Sequence, residues 1–115
     1  MRSRNEIEYI IEGGQFTLSG SLVSEDADMF FFPLISRLKL IVDGQRDLIF
    51  NFKFDYYNTS ATRYISKIIQ LMEKLSKTNK VQVNWFYVPS DEIIQELGEM
   101  YRDISKIDIK LIELA

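Results

Sequence analysis

The chain has 115 residues, 46% of them hydrophobic, which suits one hydrophobic core, is too short for two, and leaves nothing that reads as disordered. It contains no Cys and no His, which excludes disulfides, thiolate nucleophiles, Cys/His zinc sites and Ser-His-Asp or Cys-His catalysis. The net charge is −3 with no basic run, so the electrostatic footprint for nucleic acid is missing. The amino terminus follows Arg2 and Arg4 with Glu6 and Glu8 and has no apolar stretch of signal-peptide type. The longest apolar run, 29–35, contains Pro33 and is too short to span a bilayer. A cytoplasmic protein with no membrane or nucleic-acid partner is the expectation.

In chain order, Ile7, Tyr9 and Ile11 alternate with Glu8, Ile10 and Glu12, then Gly13-Gly14 punctuates. Phe16 and Leu18 next alternate with Gln15, Thr17 and Ser19, which reads as a hairpin of two strands. Ser24-Glu25-Asp26 offers an N-cap and first-turn acids for a helix to about Val42, which Pro33 either kinks or opens and Asp43-Gly44 ends. Leu48 to Phe54 is a third strand, apolar enough for a position buried on both faces. Asn58-Thr59-Ser60 starts a second helix whose apolar face is Ala61, Tyr64, Ile65, Ile68, Ile69, Met72 and Leu75, and Thr78-Asn79 stops it.

Val81, Val83, Trp85 and Tyr87 form a fourth strand ending at Pro89. Ser90-Asp91-Glu92 then caps a third helix with the face Ile93, Ile94, Leu97, Met100, Tyr101 and Ile104. Gly98 inside that helix costs about 1 kcal/mol relative to Ala, and a close packing partner would explain it. Ile107, Ile109, Leu111 and Ile112 suggest a last strand. The order is ββαβαβαβ: an α/β domain over 1–115 with a mixed, mostly parallel sheet, an N-terminal hairpin and three helices. Trp85 and the Phe30-Phe31-Phe32 run are expected in the core.

The segment from Tyr56 to Thr62 falls at the carboxyl end of a predicted parallel strand and the start of the next helix. Ligands collect at that edge of open α/β sheets, and unpaired N–H groups there favour an anion. A phosphate ester on Thr59 or Ser60 would be stabilised at such a place, adding about −1.5 to −2 charges at pH 7. Asn, Thr and Ser also lead helices simply because they cap them, and local composition favours that reading.

The stretch Phe52-Lys53-Phe54-Asp55-Tyr56-Tyr57-Asn58-Thr59-Ser60-Ala61 resembles the strand-to-helix motif of SiaC-like regulatory phosphoproteins, which are bacterial STAS-like domains. Three further segments agree in order: Phe16-Thr17-Leu18-Ser19-Gly20 with Ser24-Glu25-Asp26-Ala27; Phe31-Phe32-Pro33-Leu34; and Val83-Asn84-Trp85-Phe86-Tyr87 with Ser90-Asp91-Glu92 and Gly98. The resemblance implies a STAS-like fold and phosphorylation of Thr59 by a partner Ser/Thr kinase, reversed by a partner phosphatase. It also implies binding of the unmodified form to a diguanylate cyclase in cyclic-di-GMP signalling, without cofactor, metal or catalytic residue. Asp55, Asn58, Ser60 and Arg63 would surround the phosphoacceptor, and Tyr56, Tyr57, Glu25 and Asp26 would face the partner. Phosphorylation would then block docking through charge repulsion and desolvation. The chain departs from the family pattern at Ala61, Leu22, Ser24 and Asp26, which bears on partner choice.

Other readings stand beside this one. Asp91, Glu92, Glu96 and Glu99 are a cation cluster or, more ordinarily, first-turn acids followed by a solvated face. Asp55 and Asp91 are the carboxylates a phosphotransferase or hydrolase would use, but no Gly-rich phosphate loop accompanies them, and a non-enzyme is expected. An anti-sigma factor antagonist of STAS type and a constitutive interaction domain are the alternative binding modules.

Overall fold

A computed structural model describes residues 8–22, 27–41, 47–57 and 62–114, and within these the side chains of 10, 12–20, 32–40, 47–54 and 62–114. The elements are β1 (Glu8–Glu12), β2 (Gln15–Leu22), α1 (Ala27–Ile41), β3 (Asp47–Tyr57), α2 (Thr62–Leu75), β4 (Lys80–Tyr87), α3 (Glu92–Ile104) and β5 (Asp108–Glu113). The ββαβαβαβ order read from the sequence is the observed one. β1 and β2 are an antiparallel hairpin turned at Gly13 and Gly14, whose φ of 52° and 83° lie in the left-handed region that glycine enters without penalty. The strands stand in the order β1-β2-β3-β4-β5, and β2 to β5 run parallel.

Strands that add in chain order make crossovers progressing in one direction, and like-handed crossovers of this kind return every helix to the same face. The register agrees. Phe16, Phe50, Val83 and Ile109 form one row across the sheet and Leu18, Phe52, Trp85 and Leu111 the next, on the face that packs against buried residues of all three helices. β3 is therefore covered by helices on one side only: Leu48, Phe50, Phe52 and Phe54 are buried there, while Ile49 is half-buried and Lys53 exposed on the other. This corrects the expectation of a strand buried on both faces.

The open face is held by amides. Thr17, Asn51, Asn84 and Lys110 share a row. Asn51 donates to Gln15 Oε1 (2.9 Å) and Thr17 Oγ1 (3.2 Å) and accepts from Asn84 Nδ2 (2.9 Å). Gln82 extends the chain to Asn84 Oδ1 at 2.9 Å. Asn51 tolerates its burial because these bonds replace those it would make to water.

Local signals place the helices with few surprises. α2 buries Tyr64, Ile65, Ile68, Ile69 and Met72, and Asn79 closes it by donating from both backbone and side chain to the Leu75 carbonyl. Asp91 caps α3, accepting from the Ile94 N–H at 3.2 Å. α1 runs through Pro33 instead of starting at it; its proposed cap, Ser24-Glu25-Asp26, lies outside the described residues. Of the Phe30-Phe31-Phe32 run expected in the core, the side chains of Phe30 and Phe31 lie outside the described residues, and Phe32 is not buried: it is 56% exposed, with the Lys67 ammonium 5.8 Å from its ring centre. A helix turns only one stripe toward the sheet, and among the described side chains of α1 the buried ones on that stripe are Leu34 and Leu38.

The centre of the core explains Gly98. The Trp85 indole lies on α3, donating from Nε1 to the Ile94 carbonyl at 2.9 Å. A Cβ at Gly98, one turn later, would stand 2.6 Å from Nε1 and 2.8 Å from Cγ of that ring. Only a residue without a side chain lets the ring approach this closely.

Candidate functional site

The direction shared by β2 to β5 gathers their carboxyl ends at one edge of the sheet, where the following helices begin. At that edge β3 continues past the predicted end at Phe54 to Tyr57, because Tyr56 and Tyr57 pair with Ser21 and Leu22 of β2. The register slips there. Gly20 pairs with Phe54 and Ser21 with Tyr56, so Asp55 has no opposite residue and marks a bulge in β3. Gly20 itself has φ of 108°, a conformation side chains disfavour. Bulges bend a strand and redirect its end, and this one falls four residues before Thr59.

Of the residues singled out from the sequence, Asp55, Tyr56 and Tyr57 are placed by their backbone in β3, and Asn58, Thr59, Ser60, Glu25 and Asp26 lie outside the described residues. Arg63 is in the first turn of α2, donating to the Tyr64 hydroxyl at 3.0 Å with its guanidinium 5.0 Å from that ring's centre.

The first turn of α2 is tied to α3 by a residue that sequence reading assigned only to a packing face. The Tyr101 hydroxyl donates to the Thr62 carbonyl at 3.2 Å and bonds the Ser66 hydroxyl at 2.9 Å. Burial pushes the Tyr101 phenol above its ordinary 10.0, and the Ser66 bond works in the opposite direction. Beside this link a cleft of about 180 Å³ opens between the helices, with Ile69, Gln70 and Glu73 on the α2 side and Ile104 and Ser105 on the α3 side. Glu73 also accepts from the Lys106 N–H at 2.9 Å, fixing the turn into β5. The cleft is well below the roughly 300–1,000 Å³ usual for small-molecule pockets. A tyrosine inside an otherwise aliphatic helical face was the available signal for the link, since a buried phenol requires a hydrogen-bond partner.

The acidic residues of α3 do not converge. Asp91 is the helix cap, Glu99 accepts from Gln95 at 3.4 Å, and among the described residues no three Asp or Glu are placed to hold a metal ion. Among the described residues no helix is long and apolar enough to cross a membrane.

Among the described residues, a five-stranded sheet with three helices on one face and helix starts along one edge defines a small α/β domain. The chain belongs to the SiaC family of regulatory phosphoproteins, whose family model matches residues 2–114. In fold it is similar to SiaC of Pseudomonas aeruginosa crystallised with the diguanylate cyclase SiaD, of which that SiaC is the activator. The TM-score is 0.84 at 22% identity over 98% of this chain and 96% of that one. A second structure of SiaC from the same organism gives 0.79 at 20% identity, covering 95% of this chain and 99% of that one. An uncharacterised protein of P. aeruginosa is 27% identical over 94 residues, 80% of this chain and 75% of the relative.

Proposed function

We propose that this chain is a phosphorylation-controlled adaptor that binds and regulates a diguanylate cyclase, with Thr59 as the phosphoacceptor. The observation that carries the reading is membership of a family of regulatory phosphoproteins across residues 2–114. The complex of a fold relative with a cyclase supports the choice of partner. In this reading the chain catalyses nothing itself. It works in the cytoplasm, where the nucleotide substrate of a cyclase is available.

A partner kinase transfers the γ-phosphoryl group of ATP to the Thr59 hydroxyl oxygen, whose proton leaves, and a partner phosphatase hydrolyses the ester to restore the hydroxyl. Thr59 lies in sequence between Tyr57, the last residue of β3, and Thr62, the first of α2. The first N–H groups of α2 favour an anion on residues that lead into that helix, and Arg63 supplies a cation in its first turn. Asp55, Asn58 and Ser60 complete the surroundings. The unmodified form docks through an edge that includes Tyr56, Tyr57, Glu25 and Asp26. A hydrated phosphate in that edge blocks docking, because it must be stripped of water without a partner group built to receive it.

Phosphosite mapping on protein from its native cells, combined with affinity capture by wild type and Thr59→Ala, tests this. Substoichiometric phosphate on Thr59, with a cyclase retained constitutively by Thr59→Ala, is the expected result. Unaltered partner regulation in Thr59→Ala removes the role of that residue, and recovery of an anti-sigma kinase in place of a cyclase replaces the partner.

A further inference from the structure

We infer that the outer flank of α3 is a docking seam for an amphipathic helix of a partner protein, one that carries Lys or Arg beside its apolar stripe. The inference rests on the reading of the chain as a partner-binding module, and not on Thr59 or on the identity of the partner. α3 turns Ile94, Leu97, Gly98 and Tyr101 into the core. It leaves three large apolar residues in water: Ile93 is 63% exposed, Met100 40% and Ile104 67%.

These three are not scattered. With Leu97, which is buried at the core side of the arc, they are spaced by four, three and four residues, the period of a coiled-coil seam, and at 100° per residue the four fall within an arc of about 60°. The carboxylates Glu92, Glu96, Glu99 and Asp103 repeat the same spacing one residue earlier, filling the adjoining arc of about 60°. If Leu97 and Ile104 stand at a and Ile93 and Met100 at d, then Glu96 and Asp103 stand at g, the flank that selects a partner by charge. Arg102 lies 3.5 Å from Asp103, and it is the one basic residue of this helix. Toward α2 the seam borders the cleft rimmed by Ile104 and Ile69, a recess into which an apolar side chain of the docked helix fits.

Charge decides among occupants. A second copy of this chain using the same flank would set acid against acid. An anionic lipid surface or a nucleic acid would meet the same repulsion. A helix with basic residues beside an apolar stripe satisfies both arcs together.

The test uses the full-length chain labelled with ¹⁵N. The probe is a synthetic peptide of about three heptads, long enough to form helix on binding, with Leu at a and d and Lys at e and g. A second peptide carries Glu at e and g. The expected result is saturable shifts of the α3 amides with the Lys peptide and binding at least about tenfold weaker for the Glu peptide. Ile93→Asp with Ile104→Asp should weaken the Lys peptide by about tenfold or more. Glu96→Lys with Asp103→Lys should reverse the preference between the peptides. All of these positions are exposed, so the variants keep the wild-type far-UV spectrum. Absence of saturable binding, equal binding of both peptides, or shifts confined to the open sheet face around Ile49 and Phe86 overturns the proposal. Failure of Thr59→Ala to alter partner regulation leaves the seam intact and sinks only the switch.

Discussion

The two flanks of α3 belong to one helix and were read from the sequence as one apolar face, yet they do different things. One flank holds Gly98 and Ile94 against the Trp85 indole and sends Tyr101 to Thr62 and Ser66. The other presents Ile93, Met100 and Ile104 to water beside a row of carboxylates. An apolar arc wider than the surface that receives it divides into a part that stabilises the fold and a part left for something else. What separates the parts is not hydrophobicity but position around the helix: Ile94, Leu97, Gly98 and Tyr101 face the core that α3 shares with the sheet, and Ile93, Met100 and Ile104 lie outside it.

Substitutions test that division, beginning with the largest effect. Trp85→Ala removes the ring on which the inner flank rests and should cost about 3–5 kcal/mol, read from the urea midpoint. A midpoint near wild type would break the claim that this flank carries the stability. Gly98→Ala comes next. Helix propensity alone predicts a gain of about 1 kcal/mol. The indole occupies the space a methyl group needs, so a net loss of about 1–3 kcal/mol is expected by thermal denaturation. A net gain would mean that the ring yields freely.

Tyr101→Phe deletes the bonds to Thr62 and Ser66 and should cost about 1 kcal/mol at neutral pH. The same residue sharpens the comparison through pH. Its folded-state value lies above the ordinary 10.0, so the folded protein holds a proton that the unfolded chain releases first. Its contribution is complete below pH 10.0 and declines as pH rises from there through the folded-state value. Alkaline unfolding should show this loss in wild type, and Tyr101→Phe should lack that component. The smallest effect belongs to the outer flank. Ile104→Asp should leave stability within about 0.5 kcal/mol of wild type while weakening the Lys-bearing helix. A large destabilisation there would place Ile104 in the core after all.

Periodicity and caps made much of the fold legible. The buried row Tyr64, Ile65, Ile68, Ile69 and Met72 of α2, the Asp91 cap and the Asn79 stop all follow from neighbours within one or two turns, and the structure keeps them. The resemblance carried by Phe52 to Ala61 and three further segments pointed to the family that the whole-chain match establishes. Less was legible where a residue's fate depends on a strand distant in sequence. The extension of β3 to Tyr57 and the bulge at Asp55 come from pairing with Ser21 and Leu22, more than thirty residues earlier. Asn51 looks like an interruption in an apolar strand until Gln15, Thr17 and Asn84 arrive beside it.

By itself, then, the sequence determined the order of the described elements, the start of α3 at Asp91 and the end of α2 at Asn79, and the chemistry ruled out by the absence of His and Cys. These are local or compositional properties, set by backbone hydrogen bonding and by which functional groups exist in the chain. Tertiary structure alone decided that every helix lies on one face of the sheet, that Gly98 serves Trp85, and that half of an apolar helical face remains in water. Those outcomes depend on strand order and on which elements distant in sequence pack together, which no window along the chain contains.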